Sequence, residues 1–295
     1  MKKTKIIQAF SSIAILIVAV FAEESSNIQK CPDGTINIGS GKIENEHSIL
    51  SCQIKNESGD YIFHGPYIEW YPNGNILIKG NYLNGKKDGY WKTKRENGTD
   101  AIKTFYINGK MNGRQTTYHQ NNRKYTETNF TDGVKNGSYF EWNENGQITV
   151  KGQYEKNMEN GTFQKWHENK KIAHQANYEN GSLQGTITWW HENGQKKEEG
   201  LMENNLAEGE WNQWYESGEK KITTYFEKNE LNGKYTEYFK NGIIKKTGQH
   251  SKGYAEGIWE EFRTDGTLAA RVHFVKNKAE GRICFNRKEK VEECS

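Results

Sequence analysis

Residues 65–88 read GPYIEWYPNGNILIKGNYLNGKKD, and the pattern of these 24 residues decides the fold. Residues 137–160 repeat it as GSYFEWNENGQITVKGQYEKNMEN. Glycine recurs every 24 residues, at positions 65, 89, 113, 137, 161, 185, 209, 233, 257 and 281. Such a constant period indicates a repeat protein, with nine full units over residues 65–280 and a truncated tenth.

Aromatic residues occupy three fixed positions of the unit, counted from its glycine as position 1. Position 3 is aromatic in seven of the nine units, position 6 in eight and position 18 in seven. The position-six row consists of Trp70, Tyr118, Trp142, Trp166, Trp190, Trp214, Tyr238 and Phe262. Large rings in a chain with only 33% hydrophobic residues favour a thin β-rich repeat over a helical bundle or an α/β enzyme core.

Two turn signals divide each unit. Asn73-Gly74 marks the middle of the first unit and Asn84-Gly85 its end, and most units repeat both signals or close substitutes. Asn-Gly between aromatic or β-branched runs predicts a two-residue hairpin turn, because both residues tolerate positive φ. We therefore predict an all-β fold, an elongated single-layer antiparallel sheet of tandem β-hairpin repeats with a solenoid-like organisation.

The turn also predicts which side chains share a face. A two-residue turn at Asn73-Gly74 places Tyr67 opposite Gly80, where the tyrosine ring could cover the glycine backbone. Because side chains alternate along a strand, one buried face is expected to carry Tyr67, Ile76, Ile78 and Tyr82.

The position-six row is expected on the opposite face, half exposed, because Trp70 is an odd number of residues from Tyr67. Lysine stems are expected to lie across these rings from the neighbouring strand. The lysines in question are Lys79, Lys151, Lys197, Lys221 and Lys245. This row could be a second structural stripe or a candidate binding surface.

The first 22 residues resemble a secretory signal, with Lys2, Lys3 and Lys5 ahead of an apolar stretch. We expect cleavage after Ala22 and export to the periplasm, the cell surface or the medium, an uncleaved anchor being the alternative. Removal of these three lysines leaves 38 basic and 38 acidic residues (41 − 3 against 38). A neutral chain is not expected to bind nucleic acid or, strongly, a membrane surface.

Four cysteines lie near the two ends of the chain, Cys31 and Cys52 before the repeats and Cys284 and Cys294 after them. Three pairings exist, and we favour the local pairs Cys31–Cys52 and Cys284–Cys294 as disulfides over a zinc site. Residues 23–64 and 281–295 are then expected to cap the array of repeats at its two ends.

The repeat pattern, with its glycine, its aromatic positions and its Asn-Gly turns, resembles the MORN (membrane occupation and recognition nexus) repeat variant of bacterial proteins often labelled antitoxin-like. The likeness covers about 216 of the 295 residues, the span of the nine units. It implies an extended antiparallel sheet of stacked hairpins that serves as a scaffold for protein–protein contacts.

Catalytic motifs are not found in the sequence, so we expect no enzymatic activity, no cofactor and no metal site. His119, His167 and His191 share position 7 and are interpreted as solvated strand histidines, too far apart to hold one metal ion. Repeated carboxylates at position 5 are interpreted as structural or surface groups; they include Glu69, Glu141, Glu237 and Glu261.

Three functions follow as hypotheses. The first is an exported scaffold that binds an unknown protein partner, with self-association also open. The second is a carbohydrate- or cell-wall-binding protein whose position-six rings stack on glycans. The third is an antitoxin-like protein.

Overall fold

The computed structural model describes residues 30–39, 46–288 and 290–294, so the predicted signal segment 1–22 lies outside the described residues. The described strands form one open antiparallel sheet, which confirms the predicted all-β hairpin repeat. Within the described part of the chain, no helix is long or apolar enough to span a membrane. The 26 strands are β1 Ile36–Ile38, β2 Ser48–Lys55, β3 Tyr61–Trp70, β4 Ile76–Leu83, β5 Lys86–Lys94, β6 Asp100–Ile107, β7 Lys110–Met111, β8 Gly113–Tyr118, β9 Lys124–Thr131, β10 Val134–Trp142, β11 Ile148–Glu155, β12 Met158–Glu159, β13 Gly161–Trp166, β14 Ile172–Glu179, β15 Ser182–Leu183, β16 Gly185–Trp190, β17 Lys196–Glu203, β18 Leu206–Trp214, β19 Lys220–Glu227, β20 Glu230–Leu231, β21 Gly233–Tyr238, β22 Ile244–Ser251, β23 Tyr254–Phe262, β24 Leu268–Val275, β25 Lys278–Phe285 and β26 Val291–Glu292.

The two turns of a unit differ in type. In the first turn, the Tyr71 N–H donates to the Asn75 carbonyl and the Gly74 N–H donates to the Tyr71 carbonyl, each over 2.8 Å. With Gly74 at φ 82°, this is a three-residue loop with a left-handed glycine, so the predicted two-residue turn is wrong here. The second turn does have two residues, Asn84 and Gly85, both at positive φ.

A β-bulge next to the first turn separates the faces of Ile76 and Ile78. Trp70 pairs with Ile76, but the residue before Trp70 pairs with Ile78, so Leu77 is an extra residue. Ile76 packs beside Trp70 on the side of the sheet opposite Tyr67. The prediction that Ile76 shares a face with Tyr67 is therefore wrong, because the bulge reverses the alternation.

The sheet thus has two distinct faces. We call face A the side that carries Tyr67, Gly80 and Tyr82, and face B the side that carries Ile68 and Trp70. Position 3 of the units supplies much of the buried surface of face A, with Trp91, Phe163, Ile187, Trp211 and Trp259 all buried.

Contacts between neighbouring units build the core of face A. Tyr67 pairs with Gly80, as predicted. The ring that covers Gly80 is nevertheless Trp91 of the next unit, and a Cβ on Gly80 would lie 2.2 Å from it. The expectation that the ring of the same hairpin covers the glycine is wrong. Three further pairs repeat this contact: Gly152 with Phe163, Gly200 with Trp211 and Gly248 with Trp259.

A bulge at position 1 brings each ring over the preceding unit. Across β4 and β5, Lys79 pairs with Lys92 and Asn81 pairs with Asp88, so three residues beginning with Gly89 lie opposite Gly80. Gly89 has φ 71°, and the position-1 glycines of all nine full units have positive φ. Residues with a Cβ rarely adopt this conformation, so the glycine at 24-residue spacing marks the bulge.

The residue at position 16 matches the size of the next unit's residue at position 3. Glycine at position 16 precedes tryptophan or phenylalanine, as in the four pairs above. Alanine precedes isoleucine in the pair Ala176 and Ile187, which share one buried cluster. Threonine precedes tyrosine, as in Thr128 with Tyr139 and Thr224 with Tyr235. Complementary size across the unit boundary fills the space above the strand without a clash.

Disulfides close both ends of the described chain. Cys31 is bonded to Cys52, a buried residue of β2, and Cys284 of β25 is bonded to Cys294. These are the local pairs that we favoured from the sequence. Each bond closes a short loop next to an end of the sheet. The two cysteines are 21 residues apart in the first pair and 10 residues apart in the second.

Substitution of Gly200 tests the contact between units. In Gly200→Ala the new methyl group would lie 2.1 Å from the Trp211 ring, so we expect a loss of about 1–3 kcal/mol in the free energy of unfolding. The double variant Gly200→Ala/Trp211→Ile copies the native pair Ala176–Ile187 and should lose less than the sum of the two single variants. Urea unfolding measures all three, and strictly additive losses would contradict the contact.

Candidate binding surface

The position-six row lies on face B. Trp70 is buried, with 8% of its surface exposed, whereas Tyr118, Trp142, Trp166, Trp190, Trp214, Tyr238 and Phe262 are half-buried. Each of these aromatic residues pairs with position 12 of its own hairpin, as Trp142 does with Ile148 and Trp214 with Lys220. The row therefore presents one partly exposed ring in each unit from the third to the ninth, whereas the first unit has the buried Trp70 and the second has Lys94.

Lysines do lie over some of these rings, but from other positions than predicted. Lys124 is 5.3 Å from the ring centre of Trp142, and Lys196 is 5.7 Å from that of Trp214. Both are position-12 residues of the preceding unit. The predicted cross-strand neighbours, Lys79, Lys151, Lys197, Lys221 and Lys245, are not the register partners of the row, because the bulge puts position 12 opposite position 6.

Position 7 side chains connect each unit to the next. The Nε2 atom of His119 lies 2.7 Å from the backbone carbonyl oxygen of Trp142, and His167 and His191 make the same contact over 2.9 and 3.1 Å. The hydroxyl of Tyr71 donates to the Lys94 carbonyl in the same way. These histidines are half-buried structural groups, so the prediction that they are solvated is wrong.

A second row of hydrogen bonds joins the first turns of neighbouring units. The side-chain amide of Asn73 donates to the Glu96 carbonyl over 2.9 Å, a bond of position 9 to position 8 of the next unit. Asn121, Asn169, Asn193 and Asn241 repeat it. Sequence reasoning assigned these asparagines only to the turn, although their recurrence at position 9 is the signal for this second role.

The recurring carboxylates of position 5 have structural partners. The hydroxyls of Tyr67 and Tyr139 donate to Glu69 and Glu141 on face A. Burial first, and then the hydrogen bond to the carboxylate, raises the pKa of both tyrosines well above its ordinary value. Glu237 accepts from Lys245 over 2.8 Å and Glu261 from Arg282 over 2.7 Å. Within the described residues, no group of three His, Cys, Asp or Glu side chains is arranged to hold a metal ion.

Two histidines of face A make the stability of the sheet depend on pH. Burial, followed by the charge of Lys165 or Lys246, lowers the pKa of His174 and His250. The unfolded chain then binds more protons than the folded chain, so stability is complete above the ordinary histidine pKa of about 6.5 and falls as the pH drops below it.

Replacement of His250 by phenylalanine should reduce that dependence. Phe226 and Phe274 occupy the same position in the flanking units, so His250→Phe fits the repeat. We expect the free energy of unfolding of the variant, relative to that of the native protein, to rise as the pH falls from about 8 to about 5. In the native protein the unfolded chain binds a proton at His250 more readily than the folded chain does, whereas phenylalanine binds none. Urea unfolding at both pH values checks this, and an advantage that is independent of pH would contradict it.

Comparison with known proteins bears on the repeat itself. The family model described as the MORN repeat variant matches residues 63–84, 135–156, 159–180, 183–204 and 231–252. No curated protein matches the chain. Among 53 matching chains of solved structures is one titled "Crystal Structure of TcdB2-TccC3", at 10% identity and a TM-score of 0.14. The match covers 81% of this chain and 20% of that one, and at this TM-score it contributes nothing to the assignment.

The five family matches start two residues before the position-1 glycine and end at the first residue of the second turn, so each covers one hairpin. They recur in phase with the bulges, ring contacts and turn hydrogen bonds described above. The chain is a repeat protein that contains repeats of the MORN variant type.

Proposed function

We propose that the protein is a non-enzymatic scaffold that binds another protein through face B. The observation that carries this proposal is the row of half-buried rings on face B, one in each unit from the third to the ninth. All 26 described strands belong to one sheet, so no second layer of described residues covers that row. Two strands per unit at ~4.8 Å place successive rings ~10 Å apart.

The rigidity of the sheet favours this role. Hydrogen bonds from positions 7 and 9 connect neighbouring units at the first turns, next to the row. A surface that is ordered before binding loses little conformational entropy when a partner docks. Partly exposed aromatic residues are also enriched among the side chains that dominate protein interfaces.

Two disulfides support an exported location, because such bonds persist in oxidising compartments. We propose that the protein acts in the periplasm, at the cell surface or outside the cell, after cleavage near Ala22. Partners would then be proteins of the same compartment.

Variants that test the position-six row can copy a residue pair that the chain already contains. The second unit replaces the aromatic residue of position 6 by Lys94, which lies 3.7 Å from the Asp100 carboxylate at position 12. The variants Trp142→Lys/Ile148→Asp and Trp166→Lys/Ile172→Asp copy that pair and keep the net charge. We expect each to retain the fold, shown by circular dichroism, and both together to reduce recovery of crosslinked partner proteins about tenfold.

The matched control is Trp142→Phe/Trp166→Phe, which keeps a ring as the ninth unit does with Phe262. Partner recovery should be unchanged in this control. Unchanged recovery in the lysine–aspartate variants would contradict the proposal. Saturable binding to purified cell wall, lost in those same variants, would instead favour the glycan-binding alternative.

A further inference from the structure

Three lysines lie side by side on face B of the first two units. Lys79 of β4 pairs with Lys92 of β5, and Lys92 pairs with Lys103 of β6. Lys79 is exposed, and Lys92 and Lys103 are half-buried. Directly paired residues on neighbouring strands have Cβ atoms about 4.5–5.5 Å apart, so three ammonium groups follow one another across the sheet.

These three charges are not neutralised within the described part of the chain. None of the three lysines forms an ion pair or a side-chain hydrogen bond with a described residue. Like charges directly opposite each other destabilise a sheet. The arrangement therefore costs stability, and a bound anion would remove that cost.

An aromatic pair, of the exposed Tyr90 and the half-buried Phe105, borders the lysine row. Tyr90, which is 61% exposed, packs edge-on against Phe105 with ring centres 4.9 Å apart. The Lys103 ammonium lies 4.3 Å from the centre of the Tyr90 ring, so the rings and the charges form one continuous patch. The patch thus combines a cationic row with an apolar surface.

Four of the five patch residues, all except Lys79, belong to the second unit, and the other units do not repeat them. The patch residues occupy positions 2, 4, 15 and 17, and among the nine units only the second has aromatic residues at both 2 and 17. Only this unit has two like charges at the paired positions 4 and 15. Because the other units form the same hairpin without these residues, the fold does not require them.

We propose that Lys79, Lys92, Lys103, Tyr90 and Phe105 form a binding site for an acidic polysaccharide. Carboxylate or sulfate groups of the polymer contact the three ammonium groups, and the apolar faces of its sugar rings pack on Tyr90 and Phe105. The site uses none of the position-six residues, so it goes beyond the proposed scaffold function and does not depend on it.

The size of the patch favours a polymer segment over a folded protein. Three strands at ~4.8 Å spacing make it about 10 Å wide, an area far below the ~800 Å² that each partner buries in a stable protein interface. A repeating anionic polymer can bind such a small site because many equivalent segments are available along the chain. The open sheet surface also suits an extended ligand.

Calorimetric titration of the disulfide-bonded protein with polygalacturonate, which carries one carboxylate per sugar, tests the site. We expect binding that weakens as the salt concentration rises, and no binding of neutral dextran. The triple variant Lys79→Gln/Lys92→Gln/Lys103→Gln and the double variant Tyr90→Ala/Phe105→Ala should each weaken binding about tenfold or more. The triple variant should unfold at the same or a higher urea concentration, because like-charge repulsion is removed.

The matched control is Lys151→Gln. Lys151 is an exposed position-15 lysine on the same face, but it pairs with Phe140 and Gln164. Its loss should leave polygalacturonate binding unchanged. Undetectable binding by the native protein, full binding by the triple variant or an equal loss in Lys151→Gln would overturn the site. Equal or tighter binding of poly-L-glutamate would overturn the polysaccharide as its ligand in favour of an acidic polypeptide.

Discussion

The contact between an aromatic ring and the glycine beneath it, made across the boundary between two hairpins, is the interaction on which the sheet depends. Trp91 on Gly80 and Trp211 on Gly200 leave no room for a Cβ at the glycine. The contact joins one unit to the next rather than the two strands of one hairpin. An isolated hairpin would leave both the ring and the glycine backbone exposed, so stability arises from stacking units in series.

The same contact explains why so polar a chain folds. A ring lying flat on backbone buries a large apolar area without a partner layer, and position-18 rings such as Tyr82 close its edge, 4.9 Å from Trp91. Face A thus provides the core within a single sheet. Face B is consequently free to vary, and it carries both the position-six row and the cationic patch around Lys92.

Sequence reasoning could reach the period, the hairpins and the Tyr67–Gly80 pairing. It could not predict the length of the first turn. The three-residue loop shifts the register by one residue and the bulge at Leu77 shifts it back, so the pairing beyond them is the one that a two-residue turn would give. For that reason the predicted face of Ile76 and the predicted cross-strand partners of Trp70 were wrong. The ring that covers Gly80 was not predicted, because the prediction considered contacts within one hairpin and not contacts between neighbouring units.

For a related reason, the sequence predicted the residues of the candidate site but not all of their contacts. Recurrence at one position locates a row such as the one containing Trp142, but it does not reveal a bond to the following unit, like that of His119 to the Trp142 carbonyl. Departures from the repeat were more informative than the repeat itself. Lys92 and Tyr90 are exceptional only in comparison with the other eight units, and their proximity to Lys79 and Phe105 required the register.

The most direct test of the account is the chemical shift of the glycine α-protons at Gly80, Gly152, Gly200 and Gly248. An aromatic ring stacked on a glycine shields these protons, so a two-dimensional carbon–proton NMR spectrum should show all four well upfield of the other glycines. Trp211→Ile should return the Gly200 signal alone to the ordinary range. Signals of the four glycines in the ordinary range in the native protein would contradict the ring–glycine contact between neighbouring units.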